Sequence, residues 1–543
     1  MCGIIAITGK NAVKMTNIIV SNMLSRLSKR GPDDRGYVNL RETILGQTRL
    51  SIIDIEEGHQ PMKDIKYPHT IVFNGEIYGY KKLRENLEKK GHIFNTRSDT
   101  EVILKSYAEY GEKCVDHLDG MFAFAIWDET KDELFIARDR FGKKPFYYTF
   151  VDTTFIGASE IKALFATNMI KGQIDPLAID DYLLHTYIPP HKTIYSNIQT
   201  LPPAYACIVK NGKIEKTWKY WKLEKKEISI SYEEAKQQIK KLFDNAVKKR
   251  MVADVEIGSL LSGGVDSTLV TYYAQKYSSR PIKTFVVGYA DGVSELPYAK
   301  EASLKIGTDH QELIVRGNNL AELKKVIAYF DEPHADSSDF PQHLISKLAS
   351  SKVKVALSGD GADELFMGYG WYQRRWHAPF FKRIFFHFID KMNATDLSVY
   401  LPGQLLTKID RTSMMNSLEI RSPFLDTELA EFVYNLPWKF KVNKTENKII
   451  LKDILSEIMP KEFVYRRKQG FGAPILAWLK EPSINKEIER IVWTDNHPLY
   501  KYVSRKKVRN IFKKTWNKSS VSKGPWCILC LALWLELHQK YHE

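Results

Sequence analysis

Five cysteines in 543 residues are too few for a disulfide framework, and their scarcity fits a reducing compartment. Long hydrophobic runs are missing too: the stretch Pro525 to Leu535 near the C-terminus is too short to cross a bilayer, so no transmembrane segment is expected. The start Met1-Cys2-Gly3-Ile4 has neither the basic region nor the apolar core of a secretion signal, and the expected location is cytoplasmic. No group of Cys and His at metal-ligand spacing stands out. Cys527 and Cys530 do form a C-x-x-C, but inside the apolar run Trp526 to Trp534 they read as two small hydrophobes one helical turn apart.

What the chain has in excess is positive charge, +15 net with a pI near 9.2. Lys and Arg are spread along the sequence rather than gathered in tails or RNA-binding motifs, so no nucleic-acid partner is expected. The segment His377 to Ile389 is basic and aromatic; a helix packed by its aromatic face is the commoner outcome for such a run, contact with a membrane surface the rarer one. With 44% hydrophobic and 27% charged residues the composition is that of a globular protein, and the length calls for two or three domains.

Before about residue 210, short alternating runs dominate: Ile44 to Gly46, Ile71 to Phe73, Met121 to Trp127, Leu134 to Ala137 and Thr154 to Ala158, with helical patterns at Tyr80 to Lys90 and Asp99 to Tyr110. They predict an α+β layered antiparallel sandwich. After about Ser229 strand candidates alternate with helices, at Val255 to Leu261, Lys283 to Gly288, Glu312 to Val315 and Lys352 to Leu357. That rhythm predicts an α/β doubly wound parallel sheet, followed from about Tyr369 by a mainly helical part. The expected division is 1–210, a linker at 211–228, and 229–543.

Two features carry chemistry. Cys2 becomes the first residue once Met1 is removed, which puts a thiol and a free α-amine on one residue; the amine titrates near ~8 and can take the thiol proton. The second feature is Ser262-Gly263-Gly264-Val265-Asp266-Ser267 between an apolar strand and a helical run, where glycines let the backbone close on an anion and serines and amides donate to phosphate oxygens. It differs from the G-x-x-x-x-G-K-[ST] phosphate loop, because no lysine follows the glycines. A related loop, Ser358-Gly359-Asp360-Gly361-Ala362-Asp363-Glu364, follows another apolar strand. Asp266 and Asp363 are the candidate Mg²⁺ ligands, and Asp360 is a candidate for acid-base or positioning work.

Cys2, with Arg30-Gly31-Pro32-Asp33, Arg49-Leu50-Ser51-Ile52-Ile53-Asp54, Phe73-Asn74-Gly75-Glu76-Ile77-Tyr78, Ser98-Asp99-Thr100-Glu101 and Arg138-Asp139-Arg140-Phe141-Gly142, resembles the class II glutamine amidotransferase domain, of N-terminal nucleophile type. The loops S-G-G-V-D-S and S-G-D-G-A-D-E, with Arg421-Ser422-Pro423-Phe424-Leu425-Asp426, resemble the ATP-pyrophosphatase domain of the glutamine-dependent asparagine synthetase family. The resemblance implies that Cys2 attacks the glutamine side-chain amide, that Asn74 and the Gly75 amide form the oxyanion hole, and that Arg49 and Asp99 hold the α-carboxylate and α-ammonium, with Glu76 and the backbone of Leu50, Ser51, Ile52 and Ile53 lining the pocket. Taken singly, Arg49 reads as a surface ion pair, Asn74-Gly75 as a hairpin turn and Asp99 as a helix cap; together with Cys2 those readings compete poorly.

For the other half the resemblance implies ATP as co-substrate with Mg²⁺, and a carboxylate converted to an acyl-adenylate that ammonia then displaces. Ser262, Gly263, Gly264, Asp266 and Ser267 would hold the pyrophosphate, Leu260 and Val287 the adenine, Ser358 and Gly359 the ribose or α-phosphate side, and Lys448 the departing pyrophosphate. Glutamine, ATP and a carboxylate acceptor are thus the implied small-molecule partners, and the resemblance also admits a homodimer. This chain departs from the family in two places: Asp360 stands where many members carry Glu, and Ser337 where some grip the acceptor with Arg. Aspartate is the expected acceptor, with a uronic acid of surface polysaccharide the alternative. A tRNA-modifying enzyme would lack the N-terminal half, and a stand-alone glutamine hydrolase would not need Asp266, Asp363 and Lys448.

Overall fold

Alternation along the first strand sorts its side chains into two separate cores: Ile4 and Ala6 face one, Ile5 and Ile7 the other. The computed structural model describes residues 2–10, 12–290, 294–315, 319–374, 382–466, 472–516 and 523–542. The expected basic-aromatic segment His377 to Ile389 lies largely outside them: residues 377–381 are not described, nor are the side chains of 382–388.

In chain order the N-terminal strands are β1 (Gly3–Gly9), β2 (Asp34–Leu40), β3 (Thr43–Arg49), β4 (Met62–Lys63), β5 (His69–Ile77) and β6 (Gly120–Asp128). They are followed by β7 (Glu133–Arg138), β8 (Tyr147–Val151), β9 (Thr154–Ala158), β10 (Gln199–Thr200), β11 (Tyr205–Lys210) and β12 (Lys213–Lys219). Two six-stranded antiparallel sheets result, in the orders β10-β8-β9-β1-β3-β2 and β12-β11-β7-β6-β5-β4. Between them Ile4, Ala6, Leu45, Val72, Ala123, Ala125, Trp127, Ile136 and Val209 form one apolar layer. The alternate residues face outward onto helices: Phe122, Phe124 and Phe135 meet the helix Asp99–Tyr110, and Ile5 and Ile156 meet the helices Asn17–Arg26 and Ile161–Phe165. The antiparallel sandwich read from the sequence is therefore present. Residues 213–219, inside the stretch expected to be a linker, are β12 and pair with β11.

The second sheet system holds β13 (Ile257–Leu260), β14 (Lys283–Tyr289), β15 (Asp309–Val315), β16 (Val355–Leu357) and β17 (Glu419–Arg421). All neighbours are parallel and the order is β15-β14-β13-β16-β17. The order reverses between β13 and β16, so the loops after these two strands flank a crevice at their carboxyl ends. The helix Tyr232–Arg250 packs on the helices Val265–Lys276 and Thr427–Asn435; Ser231 starts it with a full capping box to Glu234. The strand β17 escapes sequence reading, since three residues carry no alternation. Downstream of Tyr369 the described residues are otherwise mainly helical, as expected, and end in the apolar helix Lys523–Leu537. Cys527 and Cys530 are buried in that helix, and the Cys527 carbonyl accepts from Tyr182 Oη at 2.9 Å, which fastens the C-terminus to the N-terminal half.

Candidate active sites

A cleft opens where β1 begins, lined by Cys2, Arg49, Leu50, Ile52, Ile53, Gly75, Glu76 and Asp99 among others. Asn74 sits beneath it on β5, and its Oδ1 accepts from the Cys2 nitrogen at 3.0 Å. That nitrogen is an amide in the chain as written and stands for the α-amine left when Met1 is removed. Asn74 Nδ2 is buried and has no hydrogen-bond partner among the described residues, an unsatisfied donor of the kind that can meet a developing negative charge. Gly75 is required by its surroundings: a Cβ there would lie 2.0 Å from the Met121 carbonyl oxygen on β6.

Arg49, at the end of β3, is held by three backbone carbonyls, Ile55, Ile53 and Asp54, at 3.1, 3.0 and 2.7 Å. Carbonyls fix the guanidinium without neutralising it, so its charge stays available to an anion. Asp99 opens the helix Asp99–Tyr110 behind its cap Ser98, and its Oδ2 accepts the Ile77 N–H at 2.9 Å. Burial pushes its carboxyl up to about 6, against that hydrogen bond. Burial also raises the Cys2 thiol, opposed by the Leu50 N–H and the Arg49 guanidinium. One expected member stands apart: Ser51 is not on the cleft wall, and its N–H donates to Asp33 Oδ2 at 2.8 Å. Gln60, Ser98, Thr100 and Glu419 line the cleft without having been expected there. Ser98 and Thr100 flank Asp99 in a motif already singled out; Glu419 carries no such signal.

At the crevice of the parallel sheet the loop after β13 is knitted by its own serines. Ser262 and Ser267 hydroxyls lie 3.0 Å apart, and the Gly264 N–H donates to Ser262 Oγ at 3.2 Å. Gly264 caps the helix Val265–Lys276 without a side chain that could occupy the terminal amides, so the helix N-terminus faces the crevice with donors for an anion. Across it Lys448 reaches from the other wall, its Nζ 2.5 Å from Asp266 Oδ2 and 2.7 Å from Asp363 Oδ1. Two carboxylates converging on one point fit Mg²⁺, which is commonly held by one or two carboxylates with phosphates and water completing its shell. Among the described residues there is no group of three or more His, Cys, Asp or Glu that could hold a metal by itself. Gly359 allows the two loops to meet, since a Cβ there would lie 2.8 Å from Asp266 Cβ. Ser358 is buried, its N–H donating to the Arg421 carbonyl at 3.0 Å. Leu260 and Val287 lie on neighbouring strands, with Val287 buried in the core. Arg466, not foreseen, donates to the Gly263 carbonyl and stacks over Tyr298, 4.0 Å from the ring centre.

Beside these loops Asp360 is half-buried, and its carboxyl is raised by burial against the Ser358 hydroxyl and Lys408. Lys408 is buried, its Nζ 2.8 Å from Ser338 Oγ and 3.5 Å from Asp336 Oδ2. Ser337 is exposed at the same corner, and its carbonyl accepts the Ala473 N–H at 2.9 Å. Lys408 lies in the first turn of the helix Thr407–Met414, which also carries Asp410 and Arg411. Asp410 grips Arg30 through two hydrogen bonds, at 2.7 and 2.9 Å, and Arg30 Nε donates to the Cys2 carbonyl at 3.0 Å. Arg411 meets Glu160 at 2.8 Å and Asp331 at 3.3 Å. One short helix therefore reaches from Asp360's surroundings to the back of Cys2.

Residues 1–221 match a family described as glutamine amidotransferase domain, and residues 238–385 and 386–536 one described as asparagine synthase. The chain is 30% identical to asparagine synthetase [glutamine-hydrolyzing] 1 of Bacillus subtilis, over 100% of this chain and 98% of that protein. It is 33% identical to putative asparagine synthetase [glutamine-hydrolyzing] 2 of Methanocaldococcus jannaschii, over 83% of this chain and 93% of that one. It is 30% identical to asparagine synthetase [glutamine-hydrolyzing] 3 of Arabidopsis thaliana, over 97% and 90%.

Proposed function

Because this chain belongs to the glutamine-hydrolysing asparagine synthetase family, a family of carbon–nitrogen ligases that use ATP and take nitrogen from glutamine, we propose that it converts aspartate to asparagine through an acyl-adenylate. Residues 1–210 would act as the glutaminase and 229–543 as the synthetase. In the first half the Cys2 α-amine takes the thiol proton, and the thiolate attacks the glutamine amide carbon. Asn74 Nδ2 and the Gly75 N–H steady the oxyanion as it forms. The amine returns the proton to the leaving nitrogen, ammonia departs, and water hydrolyses the thioester to glutamate. Arg49 and Asp99 orient the zwitterionic end of the substrate.

In the second half the uncapped helix N-terminus at Gly264 and the Ser262 and Ser267 hydroxyls receive the pyrophosphate. Leu260 and Val287 would meet adenine, and Ser358 and Gly359 the ribose side. Mg²⁺, held by Asp266 and Asp363, would neutralise phosphoryl charge when bound. Lys448, on the opposite wall, would accompany the departing pyrophosphate. The acceptor carboxylate attacks the α-phosphorus, and ammonia arriving through the interface between the halves displaces AMP. Lys408 brings to the acceptor corner the positive charge that Ser337 lacks, which favours an acceptor with two carboxylates, such as aspartate, over a uronic acid with one.

The observation that carries this reading is the helix Thr407–Met414, with Lys408 beside the acceptor corner and Asp410 tied through Arg30 to Cys2. Pyrophosphate release with ATP, Mg²⁺ and ammonia, measured across aspartate, glutamate and hexuronic acids, tests it. Release with aspartate is expected. Release with a uronic acid and none with aspartate would overturn the acceptor.

A further inference from the structure

The C-terminal half contributes a charged side chain to the N-terminal cleft. Glu419 begins β17, is fully buried, and lines the cleft with Cys2, Arg49, Glu76 and Asp99. Its Oε1 accepts from Arg421 Nε at 2.6 Å, while Arg421 Nη2 donates to Glu76 Oε2 at 2.9 Å. One guanidinium thus serves two carboxylates from different halves. The remaining Arg421 donor points elsewhere, to the carbonyls of Arg250 and Val252 at 2.9 and 2.7 Å. Asp99 supplies a third carboxyl to the same walls, which also carry the Arg49 guanidinium.

The three do not share the charge equally. Burial lifts Glu76 well above the usual carboxylate range despite Arg421, with Asp99 and Glu419 adding to the rise. Burial also lifts Asp99, and Glu419 again adds to it. At Glu419 burial pushes the same way, but Arg421 first, then the N-terminal amine and Lys144, outweigh it and hold the carboxyl below its ordinary value. The acid that keeps its negative charge most firmly is the one donated by the other half. Glu419 stands close enough to Asp99 to raise it, so a second negative charge faces the carboxyl assigned to the α-ammonium, and an ammonium beside both would relieve their repulsion.

We propose that Glu419 forms part of the subsite for the α-ammonium of glutamine, so that the synthetase half helps to set the substrate specificity of the glutaminase. This rests on reading the cleft as the glutamine site. It makes Glu419 a binding residue that discriminates glutamine from an otherwise identical amide lacking the α-amine.

The test uses the full chain, with Glu419→Gln and Glu419→Asp, and follows hydrolysis of glutamine and of 4-carbamoylbutanoate, which is glutamine without its amine. In wild type, glutamine is expected to have the lower KM. Glu419→Gln should raise the glutamine KM by ~10-fold, the scale of one charge-assisted hydrogen bond, with kcat changed less than ~3-fold and the KM for the des-amino amide unmoved. Glu419→Asp should restore part of the preference. Equal KM increases for both amides, or no increase for glutamine, would overturn the proposal, since a residue that only supports Arg421 has no means of sensing the amine. Ammonia-dependent pyrophosphate release on the same preparations shows that the chain is folded; its loss in both variants would make Glu419 a structural residue and overturn the proposal as well. If wild type hydrolyses neither amide, it is the glutamine reading of the cleft that fails.

Discussion

The two sites of this molecule differ in how nearly finished they are before any substrate arrives. Around Cys2 the groups are already aimed: Arg49 is fixed by carbonyls, Asn74 Nδ2 is buried without a partner among the described residues, and the nitrogen of Cys2 is aligned by Asn74 Oδ1. At the crevice of the parallel sheet, Asp266 and Asp363 are already paired with Lys448. Under the proposed function the first site would have only to admit a zwitterion. The second would exchange lysine–carboxylate contacts for contacts with a nucleotide and its cation. Preorganised donors suit a reaction whose charge develops on one small oxygen, whereas a site for a polyanion gains by keeping its carboxylates and lysine mutually satisfied until the polyanion comes.

The largest expected break in that comparison is Cys2→Ala, which should lower glutamine-dependent synthesis by ~10³-fold or more and leave ammonia-dependent synthesis within about twofold, by coupled pyrophosphate assay. Loss of both rates would mean that the sites are not separable. Asp266→Asn should act in the opposite sense, cutting pyrophosphate release by ~10³-fold while glutamate release from glutamine persists. Asn74→Ala removes one oxyanion donor and should reduce glutaminase kcat by ~10²-fold with little change in KM. A drop confined to KM would remove Asn74 from the oxyanion role. The gentlest probe is pH. Asp99 titrates at about 6, so below that value it is neutral and gives up its attraction for an α-ammonium. Glutaminase kcat/KM should therefore show a ~10-fold step as pH increases through about 6, below the separate rise expected as the Cys2 amine titrates near ~8. Asp99→Asn should flatten this step, and ammonia-dependent synthesis should not show it.

The same contrast governs what could be read from the chain. Cys2, Asn74, Gly75, Glu76 and Asp99 were legible because each sits in a short motif whose chemistry is local, and the loops Ser262–Ser267 and Ser358–Glu364 because each follows an apolar strand. The sandwich and the doubly wound sheet were legible from alternation and rhythm. What joins the halves was not. Arg30 and Asp410 are 380 residues apart, and Glu76 and Arg421 345, so no window contains both members. Arg421 was visible as part of a motif, but its partners were not. Lys408 belongs to no motif, and only its burial beside Ser338 and Asp336 marks it out. Its neighbour Asp410 gave no warning that it would grip an arginine behind Cys2.

The apolar cores carry the same lesson further. Phe122 and Phe135 of the second sheet belong to one continuous core with Phe285 and Val355 of the parallel sheet, and Ile5 and Ile156 of the first sheet to another with the C-terminal helix Lys523–Leu537. A single proteolytic nick in the connecting stretch 220–230 would hence leave two fragments that elute together, because parting them would expose both cores to water. Exchange of halves between relatives is constrained in the same way: a foreign N-terminal half would dock productively only where the residues matching Arg30, Asp410, Glu76, Glu419 and Arg421 were carried across as a set.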